Sequence, residues 1–224
     1  SAGTSLVLDL GQGSFARLAG LVEPSAISAV AISHLHPDHF IDLVPLRHYL
    51  RWEFRPERRV RVIAPTGLAD RLDALLAEPG FSAASLAVET LRAGSLIVGA
   101  FAVQAGRVTH TEDSYGFRVT LPSGGPGLVY SGDCGRAQDL DALIRPGDTL
   151  LVEVSFGAGP VPPGANHLDG HDIGELARRT SPGRVLLTHL QMGHEEDATL
   201  DAVRERYDGP LSFVQPGDAF VIGR

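Results

Sequence analysis

Short runs rich in valine, isoleucine and leucine recur along the chain between polar, Gly- and Pro-containing stretches. They are "SLVLDL", "AVAIS", "RVRVIA", "SLIVGAFAVQAGRV", "GFRVTL", "GLVYSG", "TLLVEVS", "RVLLTHL", "LSFVQ" and "AFVIG". Apolar runs bounded by such punctuation predict strands. Between some of them a helical period predicts helices over 39–52, 66–78, 136–144, 170–180 and 195–207. In the last, Leu200, Val203 and Tyr207 fall on one face. Strand–helix alternation mixed with directly adjacent strands predicts an α/β fold with two mixed sheets and outer helices, not a purely parallel sheet. The segment "PSGGPG" at 122–127 reads as a hairpin turn. "GAGPVPPGAN" at 157–166 is short and precedes a histidine cluster, so it reads as an active-site loop inside one domain spanning residues 1–224.

Composition narrows this picture. With 224 residues, 43% of them hydrophobic, the chain can bury a substantial core, and its net charge of −8 argues against a protein built to coat nucleic acid. The single cysteine, Cys134, excludes an internal disulfide and a multi-cysteine metal site, so any metal needs nitrogen and oxygen ligands. No stretch reaches the ~20 apolar residues of a membrane helix. The start "SAGTSLVLDLG" lacks a basic region followed by a long apolar core. A cytoplasmic enzyme is the expectation.

Three of the nine histidines crowd into "SHLHPDHF" directly after the apolar run "AVAI". In extended backbone His34 and His36 point to one side. Pro37 then ends the strand, and Asp38 and His39 sit at a helix start where they can converge on the first two. Imidazole and carboxylate together suit zinc, and also iron or manganese. Four ligands from six residues are too strained around one ion, which predicts two neighbouring ions and further ligands elsewhere. His110 after "GRVT", Asp133 after "LVYSG" and His189 after "VLLT" each close a predicted strand, where open α/β folds gather their sites. With Asp133 bridging, the seven ligands give each ion three or four.

These residues resemble the metallo-β-lactamase-fold hydrolases, whose marker is H-x-H-x-D-H followed by separate His, Asp and His ligands. The resemblance runs from "LVLDLGQGS" to "FVIG". It implies a four-layer αβ/βα sandwich with two divalent metals, zinc foremost. His34, His36 and His110 would hold one, Asp38, His39 and His189 the other, and Asp133 would lie between. Family members usually carry another strand before "LVLDLG", so the resemblance also implies a first sheet edge lacking it. His36 stands where diiron oxidoreductases of this fold have glutamate, which argues against redox chemistry. Cys134 is one residue off the position where common β-lactamases place a ligand cysteine, and reads as a small buried residue.

"HTEDSYGFRV", "VYSGDC", "LLVEVSF" and "NHLDGHDIGELA" resemble the tRNA 3′-processing endonucleases and their phosphodiesterase relatives. That branch implies Asp38, Glu153 and His167 as catalytic residues, with His167 protonating the leaving oxygen and His171 as its competitor for that role. Between His110 and Asp133 there is room for a hairpin but not for a tRNA-gripping arm, so specific tRNA processing is not expected. "RHYLRWEFRPERRVR", with six arginines and Tyr49, Trp52 and Phe54, reads either as an anion-binding rim or as an amphipathic helix with solvated arginines paired to Glu53 and Glu57. The expected function is a dinuclear phosphodiesterase acting on a small or nucleotide-like anionic substrate through a metal-bridging hydroxide, without a membrane. A metal-dependent carboxylic ester, thioester or lactone hydrolase is one alternative, and a metal-binding or nucleotide-sensing protein with vestigial activity is the other. The sequence leaves the oligomeric state open, a homodimer included.

Overall fold

A computed structural model describes residues 3–223. The chain divides into two compact units, one reaching to Arg92 with Val98–Ala100, the other formed by Ala93–Ile97 and the chain from Phe101 onward.

The first unit holds a four-stranded parallel sheet in the order β1 (Leu6–Leu8), β2 (Ala29–Ala31), β3 (Val60–Ala64), β4 (Leu86–Thr90). β2 is buried at every position, as the near-continuous apolar strands of parallel sheets are. Helices α1 (Ser14–Leu21), α2 (Pro37–Phe40), α3 (Leu43–Trp52) and α4 (Leu68–Leu76) belong to it. α3 buries Leu43, Leu46, Arg47 and Leu50, one helical stripe at i, i+3, i+4 and i+7, and these leucines join Val30, Ile32, Phe40, Val62 and Phe81 in one core.

The second unit holds a seven-stranded sheet in the order β11 (Leu211–Phe213), β10 (Arg184–Thr188), β9 (Thr149–Glu153), β8 (Leu128–Tyr130), β7 (Tyr115–Thr120), β6 (Phe101–Arg107), β5 (Gly94–Val98). β8 to β11 run parallel, and β7 is antiparallel to both β8 and β6. β6 therefore points the same way as β8, β9 and β10, so the residues following all four strands meet at one sheet edge. Helix α5 (Gly170–Thr180) starts at Asp169, whose side chain accepts from the Asp172 N–H, and ends at Ser181 in the left-handed region. It buries Ile173, Leu176 and Ala177, and with α6 (Glu196–Arg204) it belongs to a core of Val129, Leu150, Val152, Val185, Leu187 and Val203. Among the described residues no helix is long and apolar enough to cross a membrane.

Two sheets with helices and the β7–β8 hairpin at "PSGGPG" match the sequence expectation, but only the seven-stranded sheet is mixed, the four-stranded one being parallel throughout. Several boundaries do not. The expected helix over 39–52 is two helices broken at Ile41 and Asp42, because Pro45 has no N–H to give the Ile41 carbonyl and fits only a first turn. The expected helix over 136–144 is a 3₁₀ turn at Ala137–Leu140. "AFVIG" forms no strand. β4 and α1 were not expected. β4 is a five-residue strand whose last two residues are exposed, and α1 buries no residue fully, so neither carries a strong apolar period.

Candidate metal centre

In the first unit the histidine motif begins at His34, three residues after the end of β2. Extended backbone at His36 gives way to α2 with Pro37 at its first position, where a missing N–H costs nothing. Asp38 falls in the first turn and His39 in the same turn, buried. Their facing atoms, Asp38 Oδ2 and His39 Nε2, lie 3.6 Å apart. The His34 ring centroid lies 4.6 Å from that of His36 and 4.0 Å from that of His39.

The group that orients this cluster is Asp9, which the sequence reading did not single out. It follows β1 directly with φ at 57°, a left-handed conformation that aspartate tolerates better than most residues. Oδ1 accepts from the Ser33 N–H at 2.6 Å, and Oδ2 accepts from the Ser33 hydroxyl at 2.7 Å and faces His39 Nδ1 at 2.7 Å. A carboxylate beside Nδ1 keeps that nitrogen protonated and leaves Nε2 as the ligand atom. The signal available was a lone acidic residue ending an apolar strand, "LVLDLG".

In the second unit His110, Asp133, Glu153 and His189 arrive at the shared edge of β6, β8, β9 and β10. His110 Nδ1 donates to the Asn166 carbonyl at 2.8 Å, and the Asn166 amide donates back to the His110 carbonyl at 3.0 Å. Gly135 permits this clamp, since a Cβ there would lie 2.6 Å from the Asn166 Cα. Asp133, buried, aims Oδ2 at His110 Nε2 and Oδ1 at His189 Nε2, each 3.7 Å away. Two atoms bound to one tetrahedral zinc at ~2 Å are roughly 3.3 Å apart. The pairs are thus spaced as co-ligands and are too long for hydrogen bonds. One carboxylate faces a different imidazole with each oxygen, which suits two neighbouring cations. His189 follows β10 with φ at 62°, a strained conformation for histidine of the kind that collects at functional sites.

Glu153 ends β9 fully enclosed. Oε1 accepts from the N–H of Cys134 at 3.1 Å and of Leu168 at 3.3 Å, and faces His167 Nδ1 at 3.0 Å. Oε2 accepts from the Ser155 N–H at 2.9 Å and from its hydroxyl at 2.6 Å. Both oxygens of this buried carboxylate are thus taken up by neighbouring polar groups. Asp133, His167 and His189 offer ligand atoms within 4.8 Å of one another, and His167 stacks on His189 with ring centroids 5.9 Å apart. The donors are nitrogen and oxygen only, the imidazoles of His110, His167 and His189 are each placed by a hydrogen bond at Nδ1, and such a set fits a divalent cation.

Other candidates fall elsewhere. His171, on the first turn of α5, is half exposed and lies 3.4 Å from Glu205. His48 donates from Nδ1 to the Val44 carbonyl of its own helix at 3.1 Å, and His194 packs its ring near Phe156. Cys134 lies in the core, where burial pushes its thiol up to about 12, far from a thiolate ligand. In the arginine-rich segment, Arg47 is buried over the Phe81 ring and donates to the Phe81 carbonyl at 2.8 Å. Arg51 pairs with Glu57, Arg59 donates to the Ala83 carbonyl, and Arg61 forks onto Glu89. Tyr49 and Phe54 pack together, which leaves Trp52, half exposed, with Arg55 and Arg58 as the open part of the segment.

A sequence profile of the beta-lactamase superfamily domain matches residues 7–190. Protein ML1173 of Mycobacterium leprae is 32% identical over 97% of this chain and 78% of its own length. The crystal structure of YhfI from Bacillus subtilis, a metallo-β-lactamase-fold protein, superposes with a TM-score of 0.84 at 22% identity, covering 97% of this chain and 88% of that one. Human tRNase Z, short form, gives a TM-score of 0.72 at 20% identity over 99% of this chain and 90% of its own. The fold is therefore that of the metallo-β-lactamases.

Proposed function

The chain belongs to the β-lactamase superfamily, and from that premise we propose that it is a dinuclear metal-dependent hydrolase of phosphodiester bonds in a small or nucleotide-like substrate. His34, His36 and His110 would hold one metal and Asp38, His39 and His189 the other, with Asp133 available to both. Zinc suits these donors, with manganese or iron as alternatives. Divalent ions held there would supply a water with a pKa near neutrality and offset phosphoryl charge, the two demands of phosphodiester hydrolysis.

The observation that carries the reading is the His167–Glu153 pair at 3.0 Å, next to Asp133 and His189. With Nδ1 held against the Glu153 carboxylate, the His167 ring is fixed in orientation, and an Nε2–H is the proton it would give to a leaving oxygen. The tRNase that shares the fold supports phosphorus over carbon as the centre attacked. Here His110 and Asp133 are joined through one hairpin, β7–β8, which leaves no arm for a long nucleic acid and favours a small substrate.

The test is turnover of a dinucleotide or cyclic nucleotide beside lactone and thioester substrates by the metal-loaded chain. Hydrolysis confined to the carbon esters would overturn the reading. His167→Ala is expected to lower kcat about 10²–10⁴-fold on a nucleotide diester, whose alkoxide needs a proton to leave. On bis-p-nitrophenyl phosphate, whose leaving group departs unprotonated, the loss should be much smaller. His171→Ala, turned toward Glu205, should leave both rates within a few-fold.

Asp9→Asn tests the first unit's support. Asparagine accepts the left-handed φ of 57° but places an amide where Ser33 and His39 need acceptors. Zinc affinity, read by competition with a chromogenic chelator, is expected to fall about 10–100-fold with the circular dichroism unchanged.

A further inference from the structure

The two units carry the same three-part arrangement around different carboxylates. Each carboxylate, Glu153 fully buried and Asp9 partly so, holds one histidine directly and stands behind a serine hydroxyl that touches a second. In the first unit Asp9 faces His39 directly, and Ser33 Oγ, 2.7 Å from Asp9 Oδ2, lies 3.0 Å from His34 Nδ1. In the second unit Glu153 faces His167 directly, and Ser155 Oγ, 2.6 Å from Glu153 Oε2, lies 2.9 Å from His189 Nδ1. The serines lie one residue before His34 and two residues after Glu153, positions with no common sequence pattern. Both are buried, Ser33 at 1% exposure and Ser155 at 0%.

A hydroxyl has one proton and two lone pairs. An ionised carboxylate only accepts, so at these distances the single proton of each serine goes to the carboxylate. A separation of 2.6 or 2.7 Å is the short range of an O–H donor on a charged oxygen. The serine oxygen is then an acceptor toward the imidazole, and the imidazole must donate from Nδ1. That fixes the neutral tautomer and leaves the Nε2 lone pair for a metal. Ser155 uses its second lone pair as well, since its Oγ lies 3.1 Å from His167 Nδ1.

The geometry points to Ser33 and Ser155 as paired positioning residues, each fixing one metal-ligating histidine, His34 and His189, in the Nδ1–H form. The inference rests on the reading of these two histidines as ligands. A hydroxyl differs here from a second carboxylate in a useful way. It hands on the orientation imposed by Asp9 or Glu153 without adding a negative charge beside the ring. The directly held histidines, His39 and His167, meet that charge; the relayed ones do not.

The test is read first in the metal-free full chain, ¹⁵N-labelled at histidine, at about pH 8 where free imidazoles are neutral. Long-range ¹H–¹⁵N correlation spectra report each ring's tautomer. His34 and His189 are expected as Nδ1–H. Ser155→Ala should release His189 from that form and leave His34 in it, and Ser33→Ala should do the reverse. Zinc affinity should drop about 10–100-fold in either alanine variant and recover with threonine, which restores a hydroxyl. An Nε2–H tautomer in the wild-type chain overturns the inference, as does an alanine variant with tautomer and zinc affinity both unchanged. If an alanine variant fails to fold, the wild-type spectrum still decides. A chain that shows these tautomers and binds zinc yet hydrolyses no phosphodiester would sink the hydrolase reading and leave this one standing.

Discussion

Asp133→Ala is expected to lower hydrolysis of bis-p-nitrophenyl phosphate by at least about 10³-fold, or roughly 4 kcal/mol of barrier, and to reduce the bound metal measured by mass spectrometry. The size follows from position. The two oxygens of Asp133 face two different imidazoles, His110 and His189, at 3.7 Å each. On the proposed two-metal reading, removing Asp133 would take a ligand from both metal positions at once and leave two rings directed at a space without the negative charge that balances two cations. A change of fold would not account for the loss. Asp133 lies in the turn after β8, and the turn's neighbour Cys134 is held by its own N–H on Glu153 and by its burial in the core. Asp133→Asn, which keeps the shape and one carbonyl oxygen, should retain more metal than alanine and less activity than wild type. Full activity and full metal content in Asp133→Ala would show that the second unit's histidines work without a shared ligand.

How much of this was legible in the chain depended on whether a residue announces its role by type. His34, His36, Asp38 and His39 did, because three imidazoles behind a buried strand have no packing reason to be there. His110, Asp133 and His189 were readable as polar residues ending apolar runs, and the parallel run of β6, β8, β9 and β10 explains why such endings meet at one edge. Asp9 and the two serines were not readable. An aspartate after "LVL" looks like ordinary strand punctuation, and its role depends on a left-handed φ and on Ser33 across the β1–β2 pairing. Ser155 is a common residue whose partners lie 12 and 34 positions away, and no local pattern records that. The fold failed to read where local propensity was overruled. Ala137–Leu140 has helical composition, yet it turns early, and the Asp139 side chain is taken up by the Thr109 N–H. Arg47 fits neither the anion-binding rim nor the helix with solvated arginines, and is instead a buried donor to the Phe81 carbonyl.

Gly11→Ala should be the most damaging single methyl in the first unit. Gly11 is outside the left-handed region, so alanine could adopt its backbone angles; the obstacle is space. A Cβ there would land on the Asp38 carbonyl, with the Asp38 C at 2.5 Å and the His39 N at 3.3 Å. These are backbone atoms and cannot swing aside as a side chain would. Nor can the loop retreat, because the Leu10 N–H donates to the His39 carbonyl at 2.8 Å and the Asp42 N–H to the Leu10 carbonyl at 3.0 Å, while the Phe15 N–H donates to Asp42 Oδ2 at 2.8 Å. Residues 9–15 and 38–42 are thus laced together, and the methyl must either break that lacing or push α2 away from β2. The expected cost is about 3 kcal/mol, which for a chain of this length is roughly 6–12 °C in the melting temperature. The same displacement moves Asp38 and separates His39 from Asp9, so zinc affinity should fall together with stability. A melting temperature equal to that of the wild type would show that the close approach of Gly11 to α2 is not what holds the motif in place. If instead stability falls and zinc affinity does not, the packing is right and the assignment of Asp38 and His39 as ligands is wrong.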